Sequence, residues 1–235
     1  SWTTNQKMVL NEKKTKAMIV NFSKKHQFST WLQLNNKNVE LVDSMKILGT
    51  MINKKLEWSQ NCKELVKKVN KRMVFLRKIL SFGANRSEMV HLWKTYCRSV
   101  LEQSAVLWQG ALTEQDRATL ERTQKTFTKL ILRRKYESYQ KSLLILDLPT
   151  LDKRQNYLCL NFAKRCIQNG KMSHMFPLNN RNKGYDIRRK LKYKIQFANT
   201  ERYRKSPVIH MQRLLNEDNE NMISSFQPTG WTLKL

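Results

Sequence analysis

The sequence predicts an α+β protein: a short β-rich N-terminal region followed by a mostly helical remainder. Three observations carry this expectation. Up to about residue 55 the apolar residues gather in short β-like runs separated by Asn- and Lys-rich turns. From Ser59 onward they recur at three- and four-residue spacing, the period of a helix face. Only 6 Gly and 4 Pro occur in 235 residues, which argues against a turn-rich all-β fold and against long flexible linkers. That length is enough for one or two domains with a real core.

Residues 1–10 read as the end of a helix and a short strand. Met18, Ile19, Val20 and Phe22 then make 15–22 a strand, and Trp31 alternates with Leu32 and Leu34 in a second, 30–34. The Asn-rich stretch 35–38 suits a hairpin turn before a third strand, 39–42. The run 46–52, Lys-Ile-Leu-Gly-Thr-Met-Ile, is expected to be one further strand ending at a polar Asn-Lys-Lys turn. Gly49 inside it marks a bulge or a close backbone approach. The whole is expected to be meander-like.

The first long helix starts at Ser59 as N-cap, with Leu65, Val69, Met73, Leu76 and Leu80 on one face. Lys63, Lys67, Lys68, Lys71, Arg72, Arg77 and Lys78 occupy the other side, and Gly83 is the expected C-cap. A second helix restarts at Ser-x-Glu and presents Met89, Leu92, Trp93, Tyr96 and Val100. A third begins after Thr113 as N-cap, with Asp116 at the capping-box position, and runs through Leu120, Thr123, Phe127, Leu130 and Ile131. A short helix ends at Pro149. The next spans about 151–169, burying Leu158, Phe162 and Cys166, and stops at Asn169-Gly170. Residues 181–205 carry ten Lys or Arg and two acids, interspersed with Tyr185, Tyr193, Phe197 and Tyr203. They read as a partly ordered basic arm before a last helix at about 207–218.

Charge dominates the functional reading. Forty-five Lys and Arg against 18 Asp and Glu give a net charge of +27. Such a balance implies a polyanionic partner, nucleic acid first and an anionic membrane surface second. Aromatic residues among the basic ones could stack on unpaired bases. The six Asp (Asp43, Asp116, Asp147, Asp152, Asp186, Asp218) are dispersed, so no carboxylate cluster for two-metal phosphoryl transfer can be identified. There is no phosphate-binding loop, dinucleotide fingerprint or zinc-protease motif. The histidines His26, His91, His174 and His210 are scattered. Cys62, Cys97, Cys159 and Cys166 form no C-x-x-C pair, and Cys159 and Cys166, seven apart, would share a helix face as small buried residues. No apolar run approaches a membrane span. The expectation is therefore a reduced, intracellular protein of nucleus or cytoplasm, with no membrane partner. An initial Ser suggests a fragment or processed product.

The ordered set Leu-Asn-Glu-Lys-Lys-Thr-Lys-Ala-Met-Ile-Val-Asn-Phe (10–22), the run 46–73, Tyr-Cys-Arg-Ser-Val-Leu-Glu-Gln-Ser (96–104), Glu-Arg-Thr-Gln-Lys-Thr-Phe (121–127) and Leu-Leu-Ile-Leu-Asp-Leu-Pro-Thr-Leu-Asp-Lys-Arg (143–154) resembles the C-terminal half of jockey-like non-LTR retrotransposon reverse transcriptases. The resemblance covers residues 1 to about 218 and not the last fifteen. It implies that Asn11, Lys14 and Thr15 follow the catalytic aspartates of a palm, with Lys14 near the incoming triphosphate as a donor to the leaving pyrophosphate. It implies that Leu48 and Gly49 belong to a primer-grip hairpin, and that the helices from Ser59 to about Leu132 form a thumb on the template–primer duplex. The fingers and the Asp-Asp strand of such a polymerase would precede residue 1, so the chain alone is not expected to be catalytic. It binds no cofactor of its own on this reading; magnesium is expected only with the full-length polymerase, whose upstream segment would be a partner.

The expected segments are a palm remnant (1–56), a thumb-like region (57–135), a helical C-terminal region (136–178) and a basic arm with last helix and tail (179–235). The expected nucleic-acid contacts are Lys14, Leu48 and Gly49, then Lys67, Lys68, Lys71 and Arg72 on the long helix, then Arg188, Arg189, Lys190 and Lys192 in the arm. The expected partner is an RNA–DNA hybrid or RNA. Two alternatives stay open: a stand-alone binder of single-stranded or structured RNA, and a decayed retroelement product that binds any polyanion.

Overall fold

The structure is a computed structural model that describes residues 6, 11, 14–22, 32–34, 37–179 and 191–218. It has short strands near the N-terminus and helices thereafter, an α+β arrangement. The chain divides into two compact units, Ser1–Lys67 and Lys68–Leu235. The division lies within helix α1, Ser59–Ser81.

In the first unit, β1 (Lys16–Ala17) pairs in parallel with β4 (Glu40–Leu41). β2 (Gln33–Leu34) and β3 (Lys37–Asn38) form an antiparallel hairpin with Gln33 opposite Asn38 and Leu34 opposite Lys37. β5 (Ser44–Ile47) and β6 (Thr50–Asn53) form another. The expected meander is thus corrected: among the described residues there are three two-stranded ladders, one of them parallel and non-sequential. The apolar runs are interrupted too often to sustain longer strands, and Val20, Leu41 and Ile47 stay exposed.

The single strand expected over 46–52 is also corrected. Ile47 faces Thr50 across a two-residue loop, Leu48-Gly49, with φ of +46° and +87°. Two positive φ values in succession are the signature of a type I′ turn, whose twist matches that of antiparallel strands. Gly49 is therefore a turn residue and not a bulge. The hairpin is tied to the start of α1: Asn61 accepts a hydrogen bond from the Met51 amide at 3.1 Å, and Lys46 pairs with Glu64 at 3.2 Å. Asn61 is buried, so this bond satisfies a group that would otherwise be costly there.

Helix α1 buries Leu65, Val69, Met73 and Leu76, as the spacing predicts, and leaves Leu80 half-buried. Ser59 is its first helical residue and not its cap; Trp58 provides the first carbonyl, to Cys62. It ends in a Schellman motif, with Gly83 at φ +92° donating to Leu80 and Ala84 to Ile79.

The second unit is mostly helical in its described part, with an irregular stretch around an isolated antiparallel bridge, Leu178 to Tyr193. α2 (Arg86–Leu92) is started by Asn85, which makes a reciprocal capping box with Glu88. It continues through a π-helical turn, Trp93–Arg98, into α3 (Ser99–Leu101). α4 (Ala105–Trp108) and a 3₁₀ turn (Gln109–Ala111) follow. α5 (Glu114–Leu132) is capped by Thr113 as expected, its hydroxyl accepting from the Asp116 amide and donating to the Asp116 carboxylate. α6 (Tyr139–Ile145) and α7 (Leu151–Gln168) are capped by Ser138 and Thr150. α8 (Glu201–Arg204) and α9 (Pro207–Glu217) complete the unit, Pro207 sitting in the first helical turn where its missing N–H costs nothing.

Trp93 stacks on Phe127 with centroids 4.5 Å apart and planes 14° from parallel. The Trp93 indole donates to Gln124, which is fully buried and itself donates to the Pro149 carbonyl at 2.7 Å. One amide thereby links α2's continuation, α5 and the turn before α7. A further apolar cluster joins Cys159, Leu160, Ala163 and Cys166 of α7 to Phe176, Met211 and Leu215. The face of α7 is rotated from that expected: Leu151, Gln155, Cys159, Leu160, Ala163 and Cys166 are buried, whereas Phe162 is exposed.

Candidate nucleic-acid interface

Between Leu65 and Ser87 the sequence holds seven Lys or Arg and no acid. Winding this stretch as far as Ser81 into α1 sends its apolar stripe inward and leaves the cations of α1 off that stripe; Arg86 begins α2. In the second unit Lys71, Arg77 and Lys78 are exposed and Lys68 is half-buried. Lys71, Arg77 and Lys78 meet no carboxylate among the described residues. Lys67, exposed, belongs to the first unit.

Arg72 is engaged within the fold. Its Nη1 donates to the Tyr96 carbonyl, and its guanidinium carbon lies 4.4 Å from the centre of the Tyr96 ring. Phe75, one turn further along α1, meets the same ring edge-on, centroids 5.7 Å apart and planes at 67°. Phe75 is 47% exposed, Tyr96 39% and Phe82 85%. Lys71, Phe75, Lys78 and Phe82, spaced four, three and four residues apart, form one exposed line of alternating cation and aromatic.

Sequence reasoning named the cations of this face and missed its aromatics. The signal for Phe75 and Phe82 was present, since both lie off the Leu65–Val69–Met73–Leu76 stripe. Tyr96, expected on the apolar face of the second helix, is exposed instead, because the π turn inserts extra chain per turn and shifts the inward positions to Trp93, Cys97, Val100 and Leu101.

In the first unit, Leu48 and Gly49 form the tip of the β5–β6 hairpin, with Leu48 94% exposed. A leucine with positive φ costs roughly 1–2 kcal/mol relative to ordinary backbone. Lys14 is exposed, in a turn held by Asn11: the Lys14 amide donates to the Asn11 side chain at 3.2 Å, and the Thr15 hydroxyl to the Asn11 carbonyl at 2.9 Å. Asn11 and Thr15 thus shape the loop that carries Lys14. Arg188, Arg189 and Lys190 lie outside the described residues. Lys192 is exposed, its ammonium 5.6 Å from the Tyr193 ring, in a segment bridged to Leu178.

The buried titratable groups are set up for structure. Burial pushes the Cys97 thiol up to about 11 and that of Cys159 to about 12, so both stay protonated at neutral pH and are unreactive. Cys62 and Cys166 are buried as well. Burial raises Glu121, which accepts from the Tyr139 hydroxyl and the Leu151 amide. A polar network in the second unit joins Arg117 to Asp152 and Gln109, Asn156 to Asp152, and His210 to Asn156 at 2.9 Å. No group of three His, Cys, Asp or Glu arranged to hold a metal ion occurs among the described residues. No helix among them is long and apolar enough to cross a membrane.

Comparison with known protein families, with curated proteins and with solved structures finds no match to this chain.

Proposed function

We propose that this chain binds nucleic acid, as the template–primer-holding portion of an RNA-directed DNA polymerase like those of jockey-like non-LTR retrotransposons. The observation that carries the binding is the exposed, cation-bearing face of α1 from Lys68 onward, in a stretch (65–87) without a single acid and in a chain of net charge +27. Each Lys or Arg that neutralises a phosphate releases a counterion, so such a face gives affinity that falls steeply with salt. The polymerase context rests on the order of the sequence motifs. A tight hairpin with Leu48-Gly49 at its tip followed directly by a long basic helix is compatible with a grip and thumb.

The test is the salt dependence of binding. Replacing Lys68, Lys71 and Lys78 together by Gln should weaken binding to an RNA–DNA hybrid and lower the slope of log K against log salt by about 2–3. Lys71 and Lys78 are exposed, Lys68 is half-buried and Gln keeps a polar side chain, so thermal stability should change little. An unchanged slope would put the phosphate contacts elsewhere.

A further inference from the structure

The line of Phe75 on α1 and Phe82 in the turn that ends it, with the Tyr96 ring beside Phe75, has no structural explanation in the core. α1 already buries Leu65, Val69, Met73 and Leu76 on its other side. Two phenylalanines and a tyrosine are left partly or largely in water, among cations that pair with no described carboxylate. Arg72 lies on the Tyr96 ring while also bonding its backbone, and Phe75 abuts that ring edge-on. This corner is therefore held in place before any ligand arrives.

We propose that this face is a stacking platform for unpaired nucleotides, in which Phe75 and Phe82 receive bases, Tyr96 and Arg72 brace Phe75, and Lys71, Arg77 and Lys78 hold the phosphates of the same strand. The proposal deepens the nucleic-acid reading above and rests on it. Aromatic side chains interleaved with cations match the two requirements of a single strand, a π-face for each base and a positive track for its backbone. A duplex does not fit the aromatics, because its base faces are already covered by their neighbours and must be unstacked to be reached. Phe75 and Phe82 are seven residues apart, about 10 Å along the helix axis. That spacing suits a strand spread out along the helix more than bases stacked on each other. A lipid surface fits less well. An interfacial helix inserts a broad apolar face, and the broad apolar face of α1 is buried in the protein.

The experiment uses the full chain and a labelled RNA–DNA hybrid with a recessed 3′ end, whose single-stranded overhang carries either natural bases or abasic sites. The abasic overhang keeps every phosphate and removes only the stacking partners. The natural overhang should bind about tenfold more tightly. In the double variant Phe75→Leu, Phe82→Leu that preference should disappear, with the salt slope unchanged. Both rings are solvent-accessible and leucine is a good helix former, so the variant should fold; circular dichroism checks this. RNA and DNA overhangs, run side by side, identify the strand. If the hybrid binds but natural and abasic overhangs bind equally, the platform is wrong and the function reading stands. If the leucine variant keeps the preference, the bases stack elsewhere. If no hybrid binds at all, both readings fall. Anionic vesicles bound by the wild type and lost in the leucine variant, with nucleic-acid binding unaltered, would assign the face to lipid instead.

Discussion

His210 is held uncharged by its surroundings. Burial is the main cause; Arg117 and Arg213 act in the same direction, Asp152 opposes them, and the imidazole settles at a pKa of about 4. Its ring nitrogen meets Asn156 at 2.9 Å. In the unfolded chain the same histidine protonates near 6.5. Between pH 6.5 and 4 the unfolded state therefore binds a proton that the folded state refuses. The stabilisation is complete above pH 6.5 and is lost as pH falls toward 4, by up to about 3 kcal/mol. Urea unfolding of the wild type should show a falling midpoint over that window, and His210→Gln should flatten the fall. Equal acid sensitivity in both proteins would mean that His210 is not buried as described. None of this was legible in the sequence, where His210 was one of four scattered histidines. Its partners Asn156 and Asp152 stand more than fifty residues away and meet it only through the packing of α7 against α9.

At the scale of elements, local chemistry was legible where it acts locally. Thr113, Gly83 and the apolar stripe of α1 follow from neighbouring residues alone and are as expected. Expectation failed where one residue changes the register. Leu48-Gly49 reads as strand interior because Leu is a poor turn residue, yet both take positive φ and split the run into β5 and β6. The π turn in Trp93–Arg98 and the rotated face of α7 are set by tertiary packing, which an idealised 3.6-residue period does not contain. Gly110 shows a close approach of the same kind. A Cβ there would sit 2.6 Å from the His210 Cβ and 3.2 Å from the Lys205 carbonyl, so the turn after α4 can lie against α9 only without a side chain. Gly110→Ala should lower unfolding free energy by about 1–3 kcal/mol in denaturant titrations. A neutral result would show that α9 shifts without cost.

For the whole molecule, net charge is the property sequence gives most directly, and its distribution is what folding adds. Of the residues expected to contact nucleic acid, Lys71 is an exposed cation on α1, Lys14, Lys67 and Lys192 are exposed on other segments or in the other unit, and Arg72 is occupied by Tyr96. Phe75 and Phe82 could be read from the period of α1, whereas Tyr96 came from the structure, because only a register shift in the next helix brings it to Phe75. On the proposed function this surface recognises nucleic acid and does not merely attract polyanions. The most direct test is a fluorescence-anisotropy titration of the full chain against an RNA–DNA hybrid with a recessed 3′ end, single-stranded RNA of the same length, and heparin, at low and at physiological salt. The expected result is tightest binding to the recessed hybrid, with a preference over heparin that survives at physiological salt. Heparin bound as tightly as the hybrid, with both lost together as salt rises, would mean that the surface attracts any polyanion and does not recognise nucleic acid.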